Sequence, residues 1–323
     1  MKKQGKKPKK ILLVIAGYSS FRDPLDKAFK TLGVKTTYFD NRKTTLFEKL
    51  FFSLSLIYPP IYRFATGLIN NRLVKKVEKT KPDLILVSKG ENISAGTVKK
   101  ISQKTTIVNW YTDYFYNSKR ITKMISAYDA FFTQDTADVK SYRIKGCKNV
   151  YCLPYAGPLL NLSPFNKKYD VVFLGTFSKK REQLFEKLNR FNFKIWGDKR
   201  WQKSKLNNNY MGKWLNFDEM IHTLKKSKIV VNNHQNRVLN LRVYETTAAG
   251  ALLITDFSPD LPFMYKIGKE VIVYRNKNDL FQKVRYYLKN DLQREKIANA
   301  GYKRQKNDHT YTKRLKEMFN IIK

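Results

Sequence analysis

A guanidinium and a carboxylate one helical turn apart follow a polar loop and precede a run of small residues. They lie in the stretch NNHQNRVLNLRVYETTAAGA, Asn232 to Ala251. The apolar residues before it read as a strand, and Asn240 reads as the N-cap of a helix. The free N–H groups at such a helix start suit a pyrophosphate. Arg242, in the first turn, can add charge-assisted bonds to a phosphate. Glu245 lies three residues on and on the same face, where it can accept from both hydroxyls of a ribose. Gly250, within Ala248-Ala249-Gly250-Ala251, lets the helix pack close to the next strand. The same residues also fit a plain amphipathic helix carrying an Arg–Glu surface pair.

Other loops follow apolar runs. In open parallel sheets, ligands bind beyond the carboxyl ends of the strands. Gly17-Tyr18-Ser19-Ser20, Ser88-Lys89-Gly90-Glu91-Asn92 and Trp110-Tyr111-Thr112-Asp113-Tyr114 are such places in the first half. Aromatic rings suit sugar faces, and Asp113 can accept hydroxyl bonds or a proton. A tight turn at Gly17 and a helix cap at Asp113 are the structural alternatives. In the second half, Gly175 and Gly197 each end an apolar run.

These loops need a scaffold. Apolar runs at 11–16, 34–39, 83–87, 105–110, 129–133 and 149–153 alternate with helical stretches such as 22–32, 95–102 and 136–143. Pro154, Gly157, Pro158 and Pro164 then mark a linker. A second series follows, with strands at 169–174, 193–196, 228–232, 251–255 and 270–274. Helices are expected at 179–189, from near Asn240, and at 277–289, 292–306 and 311–322. Strand–helix alternation of this kind predicts parallel sheets covered on both faces. The expectation is α/β: two doubly wound domains facing a cleft. Residues 1–10 form a basic arm, 11–153 the first domain, 154–166 the linker and 167–308 the second.

Composition bounds the rest. The 323 residues are 42% hydrophobic, enough for a sizeable core. The net charge is +38, which favours anionic partners. It is split evenly, +19 in residues 1–160 and +19 in residues 161–323, so no half stands out as a nucleic-acid module. Lysine-rich codon bias explains the excess equally well. The 2 Cys, Cys147 and Cys152, make no disulfide framework, and the 3 His are too scattered for a metal motif. No metal and no cofactor are expected. The apolar run after the lysine-rich start is too short for a signal peptide or a span. Residues 46–68 are rich in Leu, Phe, Ile and Tyr but are divided by Pro59 and Pro60. They read as a helix pair on the sheet, or as an apolar patch that enters a bilayer surface.

The stretch from Arg242 to Asp256, RVYETTAAGALLITD, resembles the signature of the CgeB-like (spore-maturation type) glycosyltransferases. The similarity continues through Gly268-Lys269-Glu270-Val271, Arg285-Tyr286-Tyr287-Leu288, Arg294, Ile297-Ala298, Gly301 and His309-Thr310-Tyr311. Upstream it includes Val87-Ser88-Lys89-Gly90, Trp110-Tyr111-Thr112-Asp113, Tyr128-Asp129 and Val172-Phe173-Leu174-Gly175. The resemblance implies a GT-B fold, two Rossmann-like domains, with residues 309–323 crossing back to the first. It implies a metal-independent enzyme that moves a sugar from a nucleotide-diphosphate sugar, the co-substrate, to an acceptor in cell-surface glycan synthesis.

On that resemblance Glu245, Asn240, Arg237, Gly175, Gly197 and Gly250 hold the donor. Gly17, Tyr18, Lys89 and Trp110 hold the acceptor, and Asp113 and Arg242 are catalytic. Larger relatives of this fold often carry Glu at both the Arg237 and Glu245 positions; here the first is Arg. If configuration is retained, the leaving diphosphate helps deprotonate the acceptor; if it is inverted, Asp113 is the base. The implied partners are a glycan, lipid-linked or protein acceptor, with nucleic acid less favoured and peripheral contact with an anionic membrane as a further expectation. The expected location is cytoplasmic. The rival readings are a basic polyanion-binding protein without catalysis, and a sugar-nucleotide epimerase on the same fold.

Overall fold

Apolar runs without polar alternation make strands that are buried on both faces. The first six strands are β1 (Lys10–Val14), β2 (Lys35–Phe39), β3 (Leu84–Ser88), β4 (Thr106–Trp110), β5 (Ala130–Thr133) and β6 (Val150–Cys152), of which β1, β3, β4 and β5 are such runs while the outer β2 and β6 are only partly buried. They form one parallel sheet in the order β2-β1-β3-β4-β5-β6. Ile11 pairs with Thr36 on one side and Leu84 on the other, and β1 from Ile11 to Val14 is fully buried. The structure, a computed structural model, describes residues 7–17, 19, 21–54, 58, 61–112, 119–162, 166–234 and 237–322. The chain divides into two units: Met1–Pro154 with Thr312–Lys323, and Tyr155–Tyr311.

In the first unit the strands are connected by α1 (Arg22–Thr31), α2 (Leu46–Leu54), α3 (Ile61–Thr80), α4 (Ala95–Ser102), α5 (Lys119–Ile125) and α6 (Thr136–Ile144). Ser94 and Asp135 cap α4 and α6 by accepting first-turn N–H groups, as helix N-caps do. The apolar stretch 46–68 becomes two helices, α2 and the start of α3, with Phe51 and Phe64 ring centroids 4.8 Å apart. Among the described residues, no helix is long and apolar enough to cross a membrane.

Lys9 and Lys10 do not belong to the basic arm expected over residues 1–10, whose residues 1–6 lie outside the described residues. Lys10 opens β1, and the backbone N–H groups of Lys9 and Lys10 donate to the Asp83 carboxylate at 2.8 and 2.9 Å. Asp83 therefore ties Lys9 and Lys10 to the segment that opens β3.

In the second unit β7 (Tyr169–Leu174), β8 (Phe193–Trp196), β9 (Ser227–Asn232), β10 (Leu252–Asp256) and β11 (Ile272–Tyr274) form a parallel sheet ordered β11-β10-β9-β7-β8. Its helices are α7 (Lys179–Phe185), α8 (Phe217–Lys225), α9 (Leu241–Ala248), α10 (Leu261–Met264), α11 (Lys277–Lys289) and α12 (Asp291–Asp308). One face packs Phe173, Ile229 and Ile254 against Phe185 of α7 and Leu280 of α11. The other packs Val172 and Val230 against Met220 and Leu224 of α8. The sequence reading had no counterpart for α8, although the signal is present: Asn216 and Glu219 form a reciprocal capping box. The last helix, α13 (Tyr311–Ile321), is grouped with the first unit from Thr312 onward. Its buried Arg314 donates to the Pro154 carbonyl at 3.1 Å.

Candidate functional site

The second sheet has a place where its strand order reverses. After β7 the chain moves to one side for β8, then returns to the other for β9. The crevice outside the carboxyl ends of two such strands is where open α/β sheets bind ligands. Arg181 of α7, almost wholly buried, ties the two strand ends together. Its guanidinium donates to the Asn233 carbonyl at 2.7 Å and to the Thr176 carbonyl and hydroxyl at 2.9 Å each.

Beside this point lies a cavity of about 1270 Å³, lined in part by Lys180, Asn233, His234, Arg237, Asp256, Tyr274, Arg275 and Lys277. Basic side chains come from α7, from the loop after β9 and from the segment after β11. Lys277 is paired with Glu186 at 3.1 Å. Asp256, at the end of β10, is the acidic residue in the lining. Its Oδ1 accepts from the His234 backbone N–H at 2.8 Å and lies 2.8 Å from the His234 ring Nδ1; its Oδ2 accepts from Asn233 at 3.1 Å. The Asp256 side chain is 23% exposed. His234, Asn233 and the Thr255 hydroxyl thus hold a carboxylate that also lines the cavity. Burial, helped by the negative charge of Asp256, pushes the Tyr274 phenol far above its ordinary range. Tyr274 therefore stays a donor, and its hydroxyl donates to the Asn232 carbonyl at 3.1 Å.

Of the residues singled out in the second half of the sequence, Arg237 lines this cavity, with a left-handed backbone at φ 60°. The others lie elsewhere. Asn240 has the extended backbone of an N-cap, but its side chain makes no cap bond; it donates to the Asn232 carboxamide at 3.0 Å. The strand end competes for that side chain, which leaves the α9 N–H groups without it. Arg242 does not extend into open space either: its guanidinium pairs with Glu245 at 2.8 Å and approaches the Met220 sulfur. Glu245 is buried, and desolvation holds its carboxyl above the usual carboxylate range despite the pull of Arg242. Gly250 ends α9 at φ +67°, with the Leu162 side chain where its Cβ would stand.

Gly197 faces the backbone of Gly175. A Cβ on Gly197 would lie 1.9 Å from the Gly175 carbonyl oxygen. Gly197→Ala is therefore expected to destabilise the second unit by roughly 1–3 kcal/mol through forced backbone displacement, read as a lower urea midpoint. An unchanged midpoint would mean the two loops separate freely.

In the first unit the strand order reverses between β1 and β3. Gly17 follows β1 and Lys89 follows β3, so both sit at that crevice. A Cβ on Gly17 would meet the Asp40 carboxylate at 2.5 Å. Lys89 is left-handed at φ 63°, and its carbonyl accepts from Asn109 at 2.9 Å. Trp110 corrects the acceptor reading. It is 1% exposed, its indole donates to the Leu153 carbonyl at 3.0 Å, and it meets Phe21 edge-on. It is a core residue, because β4 is buried on both faces. Tyr18 and Asp113 lie outside the described residues.

Arg181, His234 and Asp256 were not singled out from the sequence. A histidine just past one strand and an aspartate ending the next strand gave a signal, but their pairing needs the β9–β10 register, which sets Asn232 beside Thr255.

Residues 180–320 match a family model described as glycosyl transferase-like. The chain is 24% identical over 260 residues to spore protein CgeB of Bacillus subtilis strain 168, covering 71% of this chain and 79% of that protein. Its fold is similar to that of Anabaena HepE in complex with UDP-glucose, with a TM-score of 0.63 and 12% identity over 96% of this chain and 98% of that one. It is also similar to a glycine-to-arginine mutant of S. aureus TarM in complex with fondaparinux, alpha-GlcNAc-glycerol and UDP, with a TM-score of 0.56 and 13% identity over 74% of this chain. The chain spans 55% of the TarM chain.

Proposed function

We propose that this chain, a CgeB-like glycosyltransferase with the GT-B fold, binds its nucleotide-diphosphate sugar in the cavity beyond β9, β10 and β11. The supporting observation is the charge pattern of that cavity: Arg237, Arg275, Lys180 and Lys277 line the same cavity as the carboxylate of Asp256. A diphosphate needs fixed cations as its charge grows on departure. A sugar, which is neutral, needs acceptors for its hydroxyls. The acceptor oxygen bonds to the anomeric carbon, the bond from that carbon to the diphosphate oxygen breaks, and the electron pair leaves with the nucleoside diphosphate. The acceptor proton passes to the leaving diphosphate if configuration is retained, and to Asp113 if it is inverted.

In this reading Arg237 and Arg275 hold the diphosphate, while Asp256, held by His234 and Asn233, accepts from a hydroxyl of the transferred sugar. The acceptor class proposed is a glycan, lipid-linked or protein acceptor bound by the first unit near Gly17 and Lys89, with the enzyme acting at the inner face of an anionic membrane.

Incubation with UDP-, GDP- and TDP-sugars, following nucleotide release, tests the activity. Release from at least one donor is expected. Neither release nor calorimetric binding with any of them would sink the reading. Asp256→Asn tests the sugar contact. It should leave nucleoside diphosphate affinity unchanged while lowering kcat/KM for the nucleotide-sugar by about 10- to 100-fold, the worth of one or two hydrogen bonds to a charged group. An equal loss for the nucleotide alone would move Asp256 to the ribose.

A further inference from the structure

Among the described residues, one face of α2 is exposed. Leu46, Leu50 and Leu54, spaced four apart and so on one side of the helix, are 86%, 55% and 39% exposed. Tyr58, Tyr62 and Phe64, which follow in the chain, are 60%, 42% and 52% exposed. On the opposite side of α2 the buried Glu48 accepts from Arg72 at 2.7 Å, which fixes the rotation of the helix. The Phe51–Phe64 ring contact fixes α2 against α3. The apolar stripe is thus held outward by packing on the other face. Monomeric proteins rarely expose a contiguous apolar surface of this kind unless it meets a partner.

The charges around it say which partner. Lys43, Lys49 and Arg63 are exposed beside the stripe, while the acid within α2, Glu48, is buried and paired. We propose that this face docks on an anionic lipid surface, with the leucines and aromatic rings entering the headgroup boundary and the three cations meeting lipid phosphates. An apolar stripe with flanking cations is the pattern that lies in a membrane interface. A second copy of this chain fits less well, since it would bring the same cations face to face on a protein of net charge +38.

The surface belongs to the first unit and the donor cavity to the second, so docking rests on the functional reading only for what it serves. Co-sedimentation of the full chain with vesicles tests it. Binding is expected to mixed phosphatidylglycerol–phosphatidylcholine vesicles and not to pure phosphatidylcholine, and to weaken with salt. Leu46→Glu/Leu50→Glu should reduce binding at least tenfold. Because both side chains are exposed, thermal unfolding and calorimetric donor binding should match the wild type. Lys43→Glu/Lys49→Glu should reduce it similarly at low salt and less at high salt.

Equal sedimentation of the wild type and the leucine variant overturns the proposal. So does equal binding to neutral vesicles, or no binding to either vesicle type at low salt. Lipid-free self-association that the leucine variant loses would assign the face to a second copy instead. Failure of donor binding with vesicle binding intact would remove the functional reading and leave the docking surface standing.

Discussion

Arg242→Met is expected to destabilise the second unit by about 3–5 kcal/mol near neutral pH, the usual cost of leaving one partner of a buried ion pair alone. Arg242 is 15% and Glu245 6% exposed at the side chain, with 2.8 Å between their charged atoms. The loss should depend on pH in a stated direction. Burial raises the folded pKa of Glu245 above its ordinary value of 4.5, and Arg242 pulls it down. A carboxyl with a raised folded pKa contributes its stability below the unfolded value and loses it as pH rises through the folded one. Without Arg242 that folded value climbs further. The deficit of the variant should therefore be small at acid pH near the ordinary carboxylate value and widen as pH rises toward neutrality. Urea unfolding across that range measures it. Adding Glu245→Gln should flatten the pH dependence. A deficit that stays constant with pH would mean the pair is not the cause. The residue pair that looked like a set of donor contacts is thus expected to report first on stability.

Arg237→Ala combined with Arg275→Ala is expected to weaken donor binding about 100-fold. Each guanidinium–phosphate contact contributes about 1.5 kcal/mol at the lower end for charged groups, or roughly tenfold in affinity. The lower end applies because both side chains are exposed in the free protein and partly screened. Both line the cavity, from the loop after β9 and the segment after β11, so the contacts are independent enough to add approximately. Calorimetry with the donor that supports nucleotide release gives the answer. The affinity of the wild type should also fall with salt more steeply than that of the double variant. Unchanged affinity would move the diphosphate away from this cavity, and the N-terminus of α9 would become its place.

Much of the architecture was legible because it depends on local pattern. Continuous apolar runs bounded by glycine and polar residues announce buried parallel strands, and the alternation with helices restricts how they connect. The strands around residues 11, 84, 107 and 171 fall where those runs are, within two residues at their ends. The helix after Asn240 was readable for the same reason. The sequence also carried the resemblance to CgeB-like enzymes, since motif residues are seen without knowing what they touch.

Roles of single side chains were less legible, because they depend on which strand lies beside which. Trp110 follows the grammar of a sugar platform, yet β4 sits inside its sheet and the indole is consumed by the core. Asn240 has the residue type of a cap, yet the end of β9 takes its side chain. His234 and Asp256 are far apart in sequence, and the parallel register of β9 with β10 makes them partners. Composition and periodicity determined what must be buried and in what order the elements come. The tertiary structure decided which polar groups near the strand ends are used up by the fold and which still face the cavity, because that competition is settled by distances of a few ångströms between segments remote in the chain.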